Sequence, residues 1–109
     1  MSKLGAITFM GKTNHRYEFA LYPLETHFKA AAGGVFVITA RQTDAAPHHS
    51  HHQVLCIGAS DDLSQPPANL ADLIAQGANC VAIHVTADAA ARTHILDDLC
   101  AHYPAAARG

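Results

Sequence analysis

Hydrophobic and polar positions change their period several times along this chain, and each change marks an element. Residues 4–10 (LGAITFM) and 16–22 (RYEFALY) are rich in β-branched and aromatic side chains. Turn-forming Gly11-Lys12-Thr13-Asn14 separates them, so they predict a β-hairpin. Tyr17, Phe19 and Leu21 alternate with Glu18, Ala20 and Tyr22, giving the second strand one clearly apolar face. Pro23 ends it, because proline cannot donate to a ladder. Gly33-Gly34 then leads into Val35-Phe36-Val37-Ile38-Thr39, a run typical of a buried strand. A polar stretch follows from Arg41 to His52, and residues 53–58 (QVLCIG) read as the next strand. The two runs predict an antiparallel pair with the polar stretch as a long hairpin loop.

Beyond them the period becomes helical. Asp61 and Asp62 read as a turn or cap, and Pro66-Pro67 suit a helix N-terminus, where the missing N–H groups cost little. Residues 69–76 carry Leu70, Leu73 and Ile74 at helical spacing, with Gly77 as C-cap. Residues 79–85 (NCVAIHV) predict another core strand. Thr86 reads as the N-cap of a last helix running to about Tyr103, with Ile95, Leu96, Leu99, Cys100 and Tyr103 as its apolar stripe and Pro104 as its stop. The predicted order is two strands, then strand–loop–strand–helix–strand–helix, in a single domain without repeats.

Composition narrows the class. At 109 residues the chain can bury a modest core without staples. Half of it is hydrophobic, but much of that is Ala and there is no Trp, so the core must come from Ile, Leu, Val, Phe and Tyr. No apolar run approaches the roughly 20 residues needed to cross a bilayer. The N-terminus lacks the apolar core of a signal peptide, which makes a cytoplasmic location the expectation. Cys56, Cys80 and Cys100 each lie within an apolar element and predict buried thiols, not disulfides. Seven Lys and Arg against nine Asp and Glu give a formal charge of −2, and the basic residues are scattered. That is a poor surface for neutralising phosphates at neutral pH.

Two short motifs carry a resemblance. Gly34-Val35-Phe36 and Cys56-Ile57-Gly58 sit in the two apolar runs flanking the polar stretch. They are joined, in order, by Tyr17-Glu18-Phe19, Leu21-Tyr22-Pro23, Asp62-Leu63-Ser64, Gly77-Ala78-Asn79-Cys80, His84-Val85, Asp98-Leu99 and Tyr103-Pro104. Over most of its length the chain thus resembles a branch of the GIY-YIG nuclease superfamily. The resemblance implies an α/β (α+β) fold, with a three-stranded antiparallel core sheet flanked by helices over residues 33–104. Residues 1–28 would form an added N-terminal hairpin extension, which Tyr17, Phe19, Tyr22 and Phe28 would pack onto the core; alternatively these residues would offer an aromatic surface for a partner, or for a twin copy through an exposed edge strand.

Nuclease members of that superfamily hydrolyse a phosphodiester with a metal-bound centre, which requires a base or activated water, a cation on the phosphate and a carboxylate for the metal. The resemblance places those roles on Phe36 and Cys56 (tyrosines in the family), on Gln65 or Pro66 (an arginine) and near Leu96 (a glutamate). None of these side chains can fill its role, and the tail from Ala105 to Gly109 lacks the family's metal-anchoring Asn. Asp97 is the nearest carboxylate, but it projects roughly 100° away from Leu96 around the helix. The expectation is therefore an inactive scaffold acting as a binding or assembly module, with an unknown protein partner or by self-association. Nucleic acid, a membrane and a cofactor are not expected partners.

Two alternatives stand beside it. One is an endonuclease or nucleic-acid binder using displaced residues such as Asp97, Arg92 and the histidines. The other is a metal-binding protein, since His48, His49, His51 and His52 lie within five residues and imidazole ligates Zn and similar ions, with Asp44 as a further donor. A solvated loop is the simpler account of that cluster. Cys56 as a nucleophile would need exposure and a lowered pKa, which its neighbours Leu55 and Ile57 argue against. His84 reads as a hydrogen-bonded strand residue on the side of Cys80 and Ala82; His94 and His102 project from the last helix.

Overall fold

Turn chemistry sets the first pairing. In the computed structural model, which describes residues 4–24, 32–43, 50–65 and 67–108, Asn14 takes a left-handed φ of 67°. Its N–H donates to the Gly11 carbonyl at 3.0 Å, and the Gly11 N–H donates to the His15 carbonyl at 2.9 Å. A short turn ending in a left-handed residue suits the right-handed twist of the strands it joins, and Asn tolerates that conformation. The strands are β1 (Gly5–Met10) and β2 (Arg16–Pro23), antiparallel from Gly5↔Leu21 to Met10↔Arg16. The expected hairpin is present.

Its relation to the rest differs from expectation. The hairpin does not pack onto a three-stranded core; it extends the sheet sideways. β2 pairs antiparallel with β5 (Cys80–Val85), from Ala20↔Ile83 to Pro23↔Cys80. β5 in turn pairs with β3 (Gly34–Thr43), and β3 with β4 (Ser50–Ser60). A short parallel strand, β6 (Ala107–Arg108), closes against Cys56 and Ile57. The result is a six-stranded sheet in the order β1-β2-β5-β3-β4-β6. The antiparallel trio β5-β3-β4 lies inside it. Phe28 falls outside the described residues.

The expected long loop is also shorter. Arg41–Thr43 and Ser50–His52 continue the β3–β4 ladder, through Arg41↔His52 and Thr43↔Ser50. Polar residues can occupy such a ladder because its backbone bonds are indifferent to side-chain polarity. The register shifts between Ile38 and Thr39, where Ile38 faces Cys56 and Thr39 faces Val54, so Leu55 is the extra residue of a β-bulge.

Among the described residues two helices flank the sheet: α1 (Leu70–Ala75) and α2 (Ala89–His102). Asp88, not Thr86, caps α2, its carboxylate accepting from the Ala90 N–H at 3.0 Å. Alternation along each strand divides the apolar residues between two layers. On the α2 side Phe9, Tyr17, Phe19, Leu21, Val35, Val37 and Ile57 meet Ile95, Leu96 and Leu99. On the α1 side Phe36, Ile38, Leu55 and Cys56 meet Leu63, Leu73, Ala78 and Val81. The bulge places consecutive Leu55 and Cys56 in the same layer. Among the described residues no helix is long and apolar enough to cross a membrane.

Candidate functional site

Strand alternation decides where the motif positions fall. Phe36 and Cys56 are diagonal neighbours on β3 and β4, since Phe36 faces Gly58 and Ile38 faces Cys56. Both are buried in the α1-side layer, Cys56 completely. Burial pushes the Cys56 thiol up, against a smaller opposing pull from a hydrogen bond with Asn69, and the nearby Cys100 adds to the rise. A raised, enclosed thiol is a poor nucleophile. None of the three cysteines is joined in a disulfide, and Cys56 and Cys80 are buried.

The remaining positions do not join this pair. Gln65 is exposed in the turn after β4, donating its backbone N–H to the Asp62 carbonyl at 3.2 Å. Pro66 lies outside the described residues. Leu96 belongs to the opposite, α2-side layer. Within the turn, the Ser60 hydroxyl bonds the Asp62 backbone, and the Asp62 carboxylate accepts from the Ser64 N–H and hydroxyl. Those bonds from Ser64 hold the Asp62 carboxyl below its usual range. Asp61 and Asp62 thus form a turn, as the sequence predicts.

The displaced residues are engaged separately. Arg92 pairs with Asp61 at 2.9 Å and reaches the Thr86 carbonyl at 3.4 Å. It lies so close over Gly33 that a Cβ there would strike its guanidinium. Asp97 pairs with Arg108, at the tail that forms β6. The two positions are roughly 140° apart around α2, so they cannot address one substrate atom.

Of the histidine cluster, His48, His49 and the side chain of His51 lie outside the described residues. His52 sits on β4 with Nδ1 2.9 Å from the hydroxyl of the fully buried Thr39. Burial, then the charge of Arg41, lowers its pKa and favours the neutral ring. Among the described residues no three His, Cys, Asp or Glu side chains come together as metal ligands. His84 Nδ1 lies 2.9 Å from the Glu18 carbonyl and its ring packs near Phe19, so it ties β5 to β2.

Among the described residues, the most connected polar side chain is one to which the sequence pattern assigns no role. Asp98 is buried and accepts from the Thr13 N–H at 3.0 Å, the Thr13 hydroxyl at 2.9 Å and the Tyr17 hydroxyl at 2.7 Å. The Lys12 N–H donates to its backbone carbonyl at 3.1 Å. A Cβ on Gly11 would collide with its carboxylate, so glycine is required for the turn to approach α2. The Tyr17 bond first, with further help from Thr13, holds the Asp98 carboxyl below its usual range against an opposing effect of burial. Tyr17 is pushed up to about 12, chiefly by burial and then by its bond to Asp98. The signal was available: a carboxylate three residues after Ile95 and next to Leu99 lies within an apolar stripe, and a stripe acid requires a buried partner. These contacts fasten the hairpin turn to α2, and every donor in them belongs to the protein's own framework. The chain matches no protein-family model, and it has no significant match among curated proteins or solved structures.

Proposed function

We propose that this chain is a catalytically inactive, GIY-YIG-like domain that serves as a binding or assembly module. The observation that carries this reading is the burial of Phe36 and Cys56 together in an apolar layer with Ile38, Leu63, Leu73, Ala78 and Val81. Phosphodiester hydrolysis needs a proton acceptor, a cation and a metal-holding carboxylate around one open point. The buried side chains packed with Phe36 and Cys56 are apolar and supply no cation and no carboxylate. Leu96 lies across the sheet from them, and Arg92 and Asp97 are committed to separate ion pairs. The scattered basic residues and net charge of −2 favour a protein partner over nucleic acid.

The test is direct. Supercoiled and linear DNA incubated with the protein and Mg, Mn or Zn ions are expected to stay intact. Metal-dependent nicking that a single substitution abolishes would overturn the proposal and favour a nuclease built from displaced residues.

A further inference from the structure

Among the described residues, β1 is the outermost strand on its side of the sheet, and the hairpin determines which of its backbone groups are spare. Hydrogen-bonded and non-hydrogen-bonded pairs alternate along an antiparallel ladder. Starting from the Gly11 N–H bonded to the His15 carbonyl, the pairs Phe9↔Tyr17 and Ile7↔Phe19 bond inward to β2. The intervening pairs Met10↔Arg16, Thr8↔Glu18 and Ala6↔Ala20 leave the N–H and C=O groups of Met10, Thr8 and Ala6 directed away from the sheet. Edge strands are commonly protected by charge, proline or a bulge. Residues 5–10 (GAITFM) contain no charge and no proline, and their pairing with β2 runs without a register shift. The opposite margin differs: β4 is bulged, and β6 covers it at Cys56 and Ile57.

We infer that β1 pairs antiparallel with β1 of a second copy of this chain, about a twofold axis at Thr8. A second copy is the fitting occupant because this edge complements itself. With Thr8 opposite the partner's Thr8, Ala6 meets the partner's Met10 and Met10 meets the partner's Ala6. All three outward-facing residues then exchange backbone bonds, and the next in-phase register leaves one of them unpaired. On the other face Ile7 comes beside the partner's Phe9. Phe9 already packs edge-on to Phe19 and Tyr103 at 5.3 and 6.2 Å between ring centres, so the α2-side layer continues across the axis. Glu18, the charged neighbour of Thr8, lies one strand further in on each copy, and like charges do not meet. Such an isologous contact closes as a dimer and leaves no β1 edge to propagate.

This inference rests on the assembly role proposed above, and a nuclease could dimerise too, so mass and DNA cleavage are measured separately on the same samples. Sedimentation equilibrium of the full chain at micromolar concentrations is expected to give twice its 11.5 kDa mass. Two double variants test the register. Ala6→Glu with Met10→Glu opposes like charges across the axis and is expected to be monomeric. Ala6→Lys with Met10→Glu opposes unlike charges and is expected to remain dimeric. Both place Glu beside Arg16, so they differ only in the sign at position 6, and equal thermal midpoints at low concentration would establish that both fold. A monomeric wild type, or a Glu/Glu variant that stays dimeric, would overturn the interface. DNA cleavage by the dimer would overturn the non-enzymatic role and leave the interface standing on its mass.

Discussion

Tyr17 donates its phenolic hydrogen to the Asp98 carboxylate at 2.7 Å, joining the second strand to the last helix across 81 positions of sequence. Thr13 adds two further donors to the same carboxylate. Removing the acceptor strands every one of them, whereas removing one donor leaves the others in place. Asp98→Ala is therefore expected to lower the urea midpoint more than Tyr17→Phe, with Asp98→Asn between them. Equal losses for the alanine and phenylalanine variants would show that the carboxylate contributes nothing beyond the tyrosine contact.

The same contact predicts a pH dependence with two limbs. The Tyr17 hydroxyl is raised from 10.0 to about 12, so its contribution is complete below pH 10 and is lost as pH rises from there towards 12. The Asp98 carboxyl is held low by Tyr17 and Thr13, so its contribution is present above the ordinary carboxylate range and is lost as pH falls below it. Denaturant titrations of the wild type and Tyr17→Phe between pH 9 and 12 should converge as pH rises. A stability gap that stays constant across that span would refute the alkaline limb.

Adjacent glycines at the start of β3 should respond unequally to the same substitution. A Cβ on Gly34 would run into the His84 backbone carbonyl, while one on Gly33 would meet the end of the Arg92 side chain. Backbone in a central ladder cannot move aside, but a guanidinium can swing away. Gly34→Ala is expected to cost about 1–3 kcal/mol, as overpacking does, and Gly33→Ala distinctly less. Chemical denaturation of the two variants gives the ordering, and the reverse order would contradict it.

Adding a tyrosine hydroxyl at position 36 or 56 should not create nuclease chemistry. Phe36→Tyr places a hydroxyl in an apolar layer and is expected to cost about 1–3 kcal/mol if it stays unpaired there. Cys56→Tyr should be worse, because Cys56 has no exposure and a tyrosine ring would overpack the layer. Neither variant is expected to cut DNA with any divalent ion. Metal-dependent cleavage by Phe36→Tyr would mean that the remaining apparatus is intact.

Zinc and nickel titrations by calorimetry address the histidine cluster. His52 has Nδ1 next to Thr39 and keeps only Nε2 for a metal. Weak binding without fixed stoichiometry is expected, little changed when His48, His49, His51 and His52 are all replaced by Ala. Tight, stoichiometric binding lost in that variant would make the cluster a metal site.

Much of the secondary structure could be read from short-range pattern. The alternation in 16–22, the β-branched run at 35–39 and the helical spacing at 69–76 all mark elements that form, because side-chain period and turn chemistry act within a few residues. The ladder beyond Thr39 was harder to see: Arg41–Thr43 and Ser50–His52 are polar, and their pairing depends on backbone bonds to the facing strand. β6 is two residues long and has no periodicity to detect. The last helix is capped by Asp88 and not by the expected Thr86, because the chain turns into the helix two residues later.

The order of elements, the apolar faces and the absence of charged side chains at positions 36, 56, 65, 66 and 96 all reside in the amino-acid sequence, since each follows from residue identity alone. Lateral order in the sheet does not. The hairpin could have packed on a face or joined an edge, and only the β2–β5 ladder made it the flank that leaves β1 outermost. The same holds for Phe36 and Cys56, which lie on one face of the sheet, and Leu96, which packs against the other. Face and neighbour are long-range properties: they depend on which backbone groups find each other across the chain, and no local period encodes that.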